Sequence, residues 1–223
     1  MITPFGSETL HSLFIDDSSL RTDLLKEAQN LPSIVISSTA AANAVMLGGG
    51  YFNPLNGFMN LHETLKVSES MQLDSGLFWP VPILNMLHDQ DLNEGIRSAP
   101  KIALKDPNIE GNPVLAIQEV NSIEFITDDE KKSIINHVFG SDDPKHPGVE
   151  AFLNGGNTII SGPIQVLNFS YFSSDFPETF RTATQIRTEI ENRGWEKTVA
   201  FQTRNPMHRA HEELCKMALQ NLN

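Results

Sequence analysis

Cysteine is almost missing from this 223-residue sequence: the single Cys215 excludes an internal disulfide and any Cys-x-x-Cys metal site, which fits a reducing compartment. Long apolar runs are missing as well. No stretch approaches the ~20 residues of a membrane-spanning helix, and the N-terminus, Met1-Ile-Thr-Pro-Phe-Gly-Ser, lacks the basic stretch and apolar run of a secretory signal. The expectation is a cytoplasmic chain with no membrane partner. Basic residues are scarce, with 16 Lys and Arg against 28 Asp and Glu and a formal net charge of -12. Nucleic acid is therefore a disfavoured partner, because binding it relies on attraction to phosphate. Low-complexity tracts are absent, and 39% hydrophobic with 20% charged residues is the profile of an ordinary globular chain. Its length allows one large domain, or one domain plus part of another.

No phosphate loop is present either. Gly48-Gly-Gly50 lacks the following Lys-Ser/Thr and the spacing of a dinucleotide fingerprint, so it is read as a turn. His62, His88, His137 and His146 have no supporting constellation and receive no role. Phe52, Phe58 and Trp79 are read as core or interface residues, and Cys215 as a small buried side chain.

What basic charge there is gathers late. Arg181, Arg187, Arg193, Lys197, Arg204, Arg209 and Lys216 all follow residue 180, where an anionic small molecule could sit, although solvated helix faces explain most such charges. The texture changes in the same direction. Up to about Gln165, short apolar stretches, frequent turn signals and few helix-like segments read as an α+β domain. Ile34-Val-Ile-Ser predicts a strand, Ser38 to Leu47 a short helix, Phe78 to Leu84 an extended segment, and Ile102-Ala-Leu and Val114 to Val120 two further strands. Asp106 to Pro113 predicts the turn between the last two.

The boundary falls between Pro163 and Phe176, dividing the chain into domains 1–167 and 168–223, and the second reads as an α/β unit. Glu178 to Arg193 predicts a helix with Phe180, Ala183, Ile186 and Ile190 on one side and Gly194 as its C-terminal cap. The short apolar centre Val199-Ala-Phe201 predicts a buried parallel strand. A loop follows, then a helix from about Arg209 to Gln220 with Leu214, Met217 and Ala218 facing inward. The loop thus sits where open α/β sheets bind ligands.

That loop, Gln202-Thr-Arg-Asn-Pro-Met-His-Arg-Ala-His211, concentrates donors and cations. A helix N-terminus offers unpaired N–H groups and partial positive charge to an anion. Arg204 adds a planar fork matched to sulfate or phosphate oxygens. Gln202, Thr203 and Asn205 donate neutral hydrogen bonds, and Pro206 stiffens the loop. His208 and His211 lie three apart, so in a first helical turn their rings project from the same side and can stabilise charge on a phosphorus centre. A single histidine more often caps a helix or faces solvent than catalyses. His-x-x-His-Glu could also ligate a metal, but its spacing does not match the helical zinc motif and no further ligand cluster supports it.

The run Val199 to Leu214 resembles the signature of ATP sulfurylases almost residue for residue. Tyr51-Phe-Asn-Pro-Leu-Asn-Gly-Phe-Met59 is similar to that family's aromatic-Pro-Leu-x-Gly-Phe-Met element, Asp143 to Val149 to its His-Pro-Gly-Val turn, and Arg193-Gly-Trp195 to its Gly-Trp before the catalytic strand. The resemblance implies a PUA-like N-terminal domain followed by the start of a Rossmann-like α/β nucleotidyltransferase domain. It implies that sulfate attacks the α-phosphorus of ATP, that pyrophosphate leaves, and that adenosine 5′-phosphosulfate forms with Mg²⁺ escorting ATP and no other cofactor. By the family's pattern Gln202 and Arg204 bind sulfate and the nucleotide's phosphates, Thr203 and Asn205 position ATP, and His208 and His211 steady the α- and β-phosphates. A homo-oligomer is implied as well.

The family's second nucleotide-binding segment, a Gly-Arg-Asp-His-Ala-Gly run, is not in this sequence. The expectation is an N-terminal portion with little or no activity alone. Two other readings stand beside this one: another adenylyltransferase with a His-x-x-His turn, and a non-catalytic PUA-like module that binds a protein or RNA, the latter disfavoured by the acidity.

Overall fold

A computed structural model of the chain describes residues 3–222, with the side chain of Leu222 excepted, and Met1, Ile2 and Asn223 lie outside the described residues. The chain divides into two compact units between Thr184 and Gln185.

The first unit is built on a curled sheet of seven strands among the described residues, with helices on both faces. The strands are β1 (Ser33–Val35), β2 (Gly57–Phe58), β3 (Met86–Leu87), β4 (Lys101–Lys105), β5 (Val114–Glu119), β6 (Ser122–Phe125) and β7 (Thr158–Val166). β1 pairs with β4 in parallel, and β4 with β5 antiparallel across the Asp106 to Pro113 turn. β7 organises the rest. Its C-terminal half pairs with β5 and β2, and its N-terminal half with β6 and β3, all antiparallel. Gly162 sits at the change of partner with φ +137°. That conformation is essentially confined to glycine, and a Cβ here would lie 2.1 Å from the Glu119 carbonyl oxygen.

The helices follow from capping chemistry as much as from apolar faces. They are α1 (Ser18–Ala28), α2 (Ser38–Gly48), α3 (Leu61–Ser70), α4 (Glu94–Ser98), α5 (Asp128–Phe139), α6 (Pro147–Leu153), α7 (Phe172–Asp175), α8 (Ala183–Asn192) and α9 (Arg209–Leu222). α2 lays Ala40, Ala41, Ala44, Val45 and Leu47 on one side of the sheet, in the cluster with Ile102, Leu104, Ile160 and Val166. On the other side Leu24 and Ala28 of α1 meet the cross-strand pair Ala103 and Ile117. With both faces covered, the centres of β4 and β5 read as unbroken apolar runs. The exception is Gln118, fully buried, which accepts from the Asn85 amide at 2.9 Å and donates to the Ile160 carbonyl at 2.9 Å.

The helical content of this unit exceeds the few helix-like segments expected. α3 and α5 each begin with a capping box, Asn60 with Glu63 and Thr127 with Glu130. The Glu130 carboxylate accepts from the Thr127 hydroxyl at 2.7 Å and its backbone N–H at 2.8 Å, and these bonds, the hydroxyl's first, lower its pKa. A depressed carboxylate adds stability that is present above the unfolded-state pKa and is lost as pH falls through the folded one. Glu130→Gln retains the box without titrating, so its urea midpoint is expected to fall less steeply with acid than the parent's, whereas parallel acid limbs would refute the contribution. Thr127→Ala is expected to cost ~1 kcal/mol.

One further expectation changes. The helix expected from Glu178 starts at Ala183, because Phe176 to Phe180 form a turn that places Phe180 against Phe169 and Phe172, with ring centroids 5.2 and 5.8 Å away. Phe78 to Leu84 forms no ladder, only a bridge from Phe78 to Gln72, although Ile83 is buried. Gly48 closes α2, and Gly50 follows with φ +77°. Phe58 and Trp79 are buried, Phe52 partly so, as expected of core residues. His146, given no role, caps α6 by accepting from the Gly148 and Val149 N–H groups.

The second unit is mostly exposed. α8 ends in a Schellman motif, with Gly194 at φ +66°, its N–H bonded to the Glu191 carbonyl at 2.9 Å and the Trp195 N–H to the Ile190 carbonyl at 3.2 Å, so Gly194 does cap this helix. The strand expected at Lys197 to Gln202 is not formed. A parallel strand takes its hydrogen bonds from neighbours, and none pairs with it among the described residues, leaving Val199 62% and Phe201 42% exposed. Leu214 and Met217 of α9 are likewise exposed, not inward-facing, while Ala218 is half-buried and Cys215 is half-buried instead of buried.

Candidate functional site

The polar turn lies wholly in the second unit, between the exposed segment 197–201 and α9. Thr203 shapes its first half. The hydroxyl accepts the Asn205 N–H at 3.1 Å and donates to the Asn205 carbonyl at 3.1 Å, folding Arg204 to the outside of a tight bend. Pro206 then follows without an N–H to satisfy.

His208 occupies the N-cap of α9. Its Nδ1 accepts the Ala210 N–H at 3.3 Å, while Nδ1 of His211 accepts the His208 N–H at 3.4 Å. The rings stack with centroids 3.9 Å apart and planes inclined by 29°. The N–H groups of Arg209 and His211 find no protein acceptor among the described residues, so two helix donors remain open to an anion.

The late cations separate into committed and free ones. Arg193 pairs with Glu189 at 2.6 Å and lies over the Trp195 ring, Arg181 donates to the Phe180 carbonyl, and Lys216 bridges Glu212 and Glu213 at 2.8 and 3.0 Å. The hydrogen bond to Glu212 first, then that to Glu213, raises the Lys216 pKa. Arg204 and Arg209 make no side-chain hydrogen bond or ion pair among the described residues, nor does Gln202. The structure thus joins Thr203 to Asn205 and His208 to His211, and leaves Gln202 and Arg204 exposed in the same turn with no side-chain hydrogen bond to either pair among the described residues. Beside it, Trp195, Lys197, Val199, Cys215 and Leu219 line a concavity of about 760 Å³.

Two features escaped the sequence. Phe201, read as strand core, places its ring 5.5 Å from that of His211. In the first unit, a cavity of about 510 Å³ opens beside Asn43, Phe52, Ile83, Val138, Phe152 and Asn154, and no titratable side chain among the described residues lines it. Among the described residues no three His, Cys, Asp or Glu side chains gather as metal ligands, and no helix is long and apolar enough to cross a membrane.

Residues 2–169, three quarters of the chain, match the family model of the PUA-like domain. The chain belongs to the PUA-like domain family. Directly after that PUA-like domain, residues 177–223 match the ATP-sulfurylase family model, which contains the whole polar turn and bears out the resemblance seen in the sequence. Whole-chain comparisons agree. A sulfate adenylyltransferase of Allochromatium vinosum is 57% identical over 220 residues, covering 99% of this chain and 55% of that protein. One of Alcanivorax borkumensis is 55% identical over 100% of this chain and 55% of that protein, and one of a Riftia pachyptila sulfur-oxidizing endosymbiont 48% identical over 100% and 50%. The chain therefore spans about half the length of the curated relatives it matches. A solved structure titled a hexameric APS kinase from Thiobacillus denitrificans superposes with a TM-score of 0.74 at 29% identity, over 99% of this chain and 38% of that one.

Proposed function

We propose that this chain is the PUA-like domain and first catalytic segment of a sulfate adenylyltransferase, which joins sulfate to the α-phosphate of ATP and releases pyrophosphate and adenosine 5′-phosphosulfate. The observation that carries the reading is the exposed turn 202–211 within the ATP-sulfurylase match, with an uncommitted guanidinium, two open helix N–H groups and two capped imidazoles. The chemistry asks for alignment of two anions that repel each other and for neutralisation of charge on the transferring group. Gln202 and Arg204 take sulfate and phosphate oxygens, Thr203 and Asn205 set the bend that positions ATP, and His208 and His211 donate to the α- and β-phosphates.

These donors suit anions, not a cation, so we assign Mg²⁺ to the phosphates of ATP instead of a protein cage. There it neutralises phosphate charge. We assign residues 1–167 to the PUA-like domain and 168–223 to a Rossmann-like nucleotidyltransferase domain, in which 197–202 becomes a strand once neighbouring strands supply its bonds. A cytoplasmic homo-oligomer completes the proposal, supported by the hexameric title of the structural neighbour.

The test is sulfate-dependent pyrophosphate release, with pyrophosphatase present. It compares the chain alone with the chain continued by the part of the Allochromatium vinosum protein beyond the aligned segment. Release is expected from the continued form at a rate at least tenfold above the chain alone. Release by the continued form that ignores sulfate but follows another acceptor would overturn the assignment.

A further inference from the structure

A ring nitrogen that accepts a hydrogen bond cannot carry its own proton, so the partner of Nδ1 decides which tautomer a neutral imidazole adopts. In this turn both Nδ1 atoms accept from the backbone: His208 from the Ala210 N–H, and His211 from the His208 N–H. The arrangement is a variant of the capping box: His211 at N3 reaches back to the N-cap N–H of His208, but the His208 ring takes the N2 N–H of Ala210 and leaves that of N3 open. The rings cannot tip independently, since they stack at 3.9 Å, and Phe201 stands against His211 at 5.5 Å with a tilt of 55°. Phe201 is otherwise 42% exposed and takes no part in a core.

We infer that the backbone of α9 locks His208 and His211 as Nε2–H tautomers, and that Phe201 is the positioning residue that keeps the pair in register. Both Nε2–H groups are then donors before any ligand arrives, so no ring has to be reoriented or reprotonated when phosphate binds. The inference deepens the proposed phosphate role of this turn and rests on that reading for its purpose, but the tautomer is a property of the free chain. A hydroxyl at position 208 would cap the helix as well. It would not present a ring N–H, which explains why a histidine stands at the cap.

The experiment is long-range proton–nitrogen NMR of the full 223-residue chain with ¹⁵N-labelled histidine. His208→Asn and His211→Gln identify the two signals while keeping a capping side chain at each position. Pyridine-like Nδ1 and pyrrole-like Nε2 shifts are expected for both rings. Phe201→Leu is expected to lose this single-tautomer signature and Phe201→Tyr to restore it. A proton on Nδ1 in either wild-type ring would overturn the lock, and a Phe201→Leu spectrum identical to wild type would overturn the role of Phe201. Because no substrate is present, a locked pair here together with a continued form that fails to adenylate sulfate would sink the proposed function and leave this inference standing.

Discussion

Replacing Arg204 by alanine in the continued form is expected to lower sulfate-dependent pyrophosphate release by about 10²–10³-fold, the usual cost of removing one preorganised donor from a charge-stabilising site. The expectation follows from what Arg204 does not do. Its guanidinium is exposed and makes no hydrogen bond or ion pair among the described residues, so truncating it removes no contact from the fold. Stability should therefore stay within about 0.5 kcal/mol of the parent. Arg204→Lys keeps the charge but not the planar two-pronged geometry, so it should recover only part of the rate. Steady-state release and urea unfolding, measured side by side on the three proteins, separate the two effects. A loss of stability matching the loss of rate would show that Arg204 is a structural residue after all.

The largest effect on the fold is expected from Gly162→Ala. Here β7 exchanges its pairing with β6 and β3 for pairing with β5 and β2, at φ +137°. The conformation alone costs an alanine about 1–3 kcal/mol. The added Cβ would sit 2.1 Å from the Glu119 carbonyl oxygen, which is backbone and cannot swing aside. Overpacking of this kind adds about 1–3 kcal/mol. Together the two approach 4 kcal/mol, or a fall in thermal midpoint of about 8–16 °C for a chain of this size. Ile160→Val, a neighbouring change that only removes a methyl from the core, should cost about 1 kcal/mol. Thermal melts followed by circular dichroism distinguish them, and a Gly162→Ala midpoint within 2 °C of the parent would mean that β7 does not bend at this point.

β7 also shows why part of the fold was hidden in the sequence. Its nine residues contain Gly162 and Pro163, which normally interrupt strands, so nothing in the composition marks the segment as one. The residues form a strand because Gly162 supplies the bend on which the sheet curls. β4, β5 and α2 were legible because their apolar composition agrees with their surroundings: both sheet faces are covered, and α2 packs small alanines against one of them. α5 carried a readable signal in Thr127-Asp-Asp-Glu130, a capping box ahead of Ile134 and Ile135. Gln118 carried none, because its burial depends on Asn85 and Ile160, distant in sequence.

The candidate site was legible for the opposite reason. Gln202 to His211 is continuous in the chain, so local chemistry suffices to assemble it. What local chemistry could not show was that residues 198–202 find no neighbouring strand to pair with among the described residues, nor that Phe201 would turn from a supposed core to the ring of His211. Periodicity reports which residues prefer burial; neighbours decide whether they obtain it.

The most direct measurement is identification of the product formed from ATP and ¹⁸O-labelled sulfate by the continued form. Adenosine 5′-phosphosulfate is expected to appear in step with pyrophosphate, with all the sulfate's label retained, since a sulfate oxygen becomes the bridge to the α-phosphorus. Pyrophosphate released with AMP alone, or with an adenylylated acceptor that carries no sulfur, would contradict it.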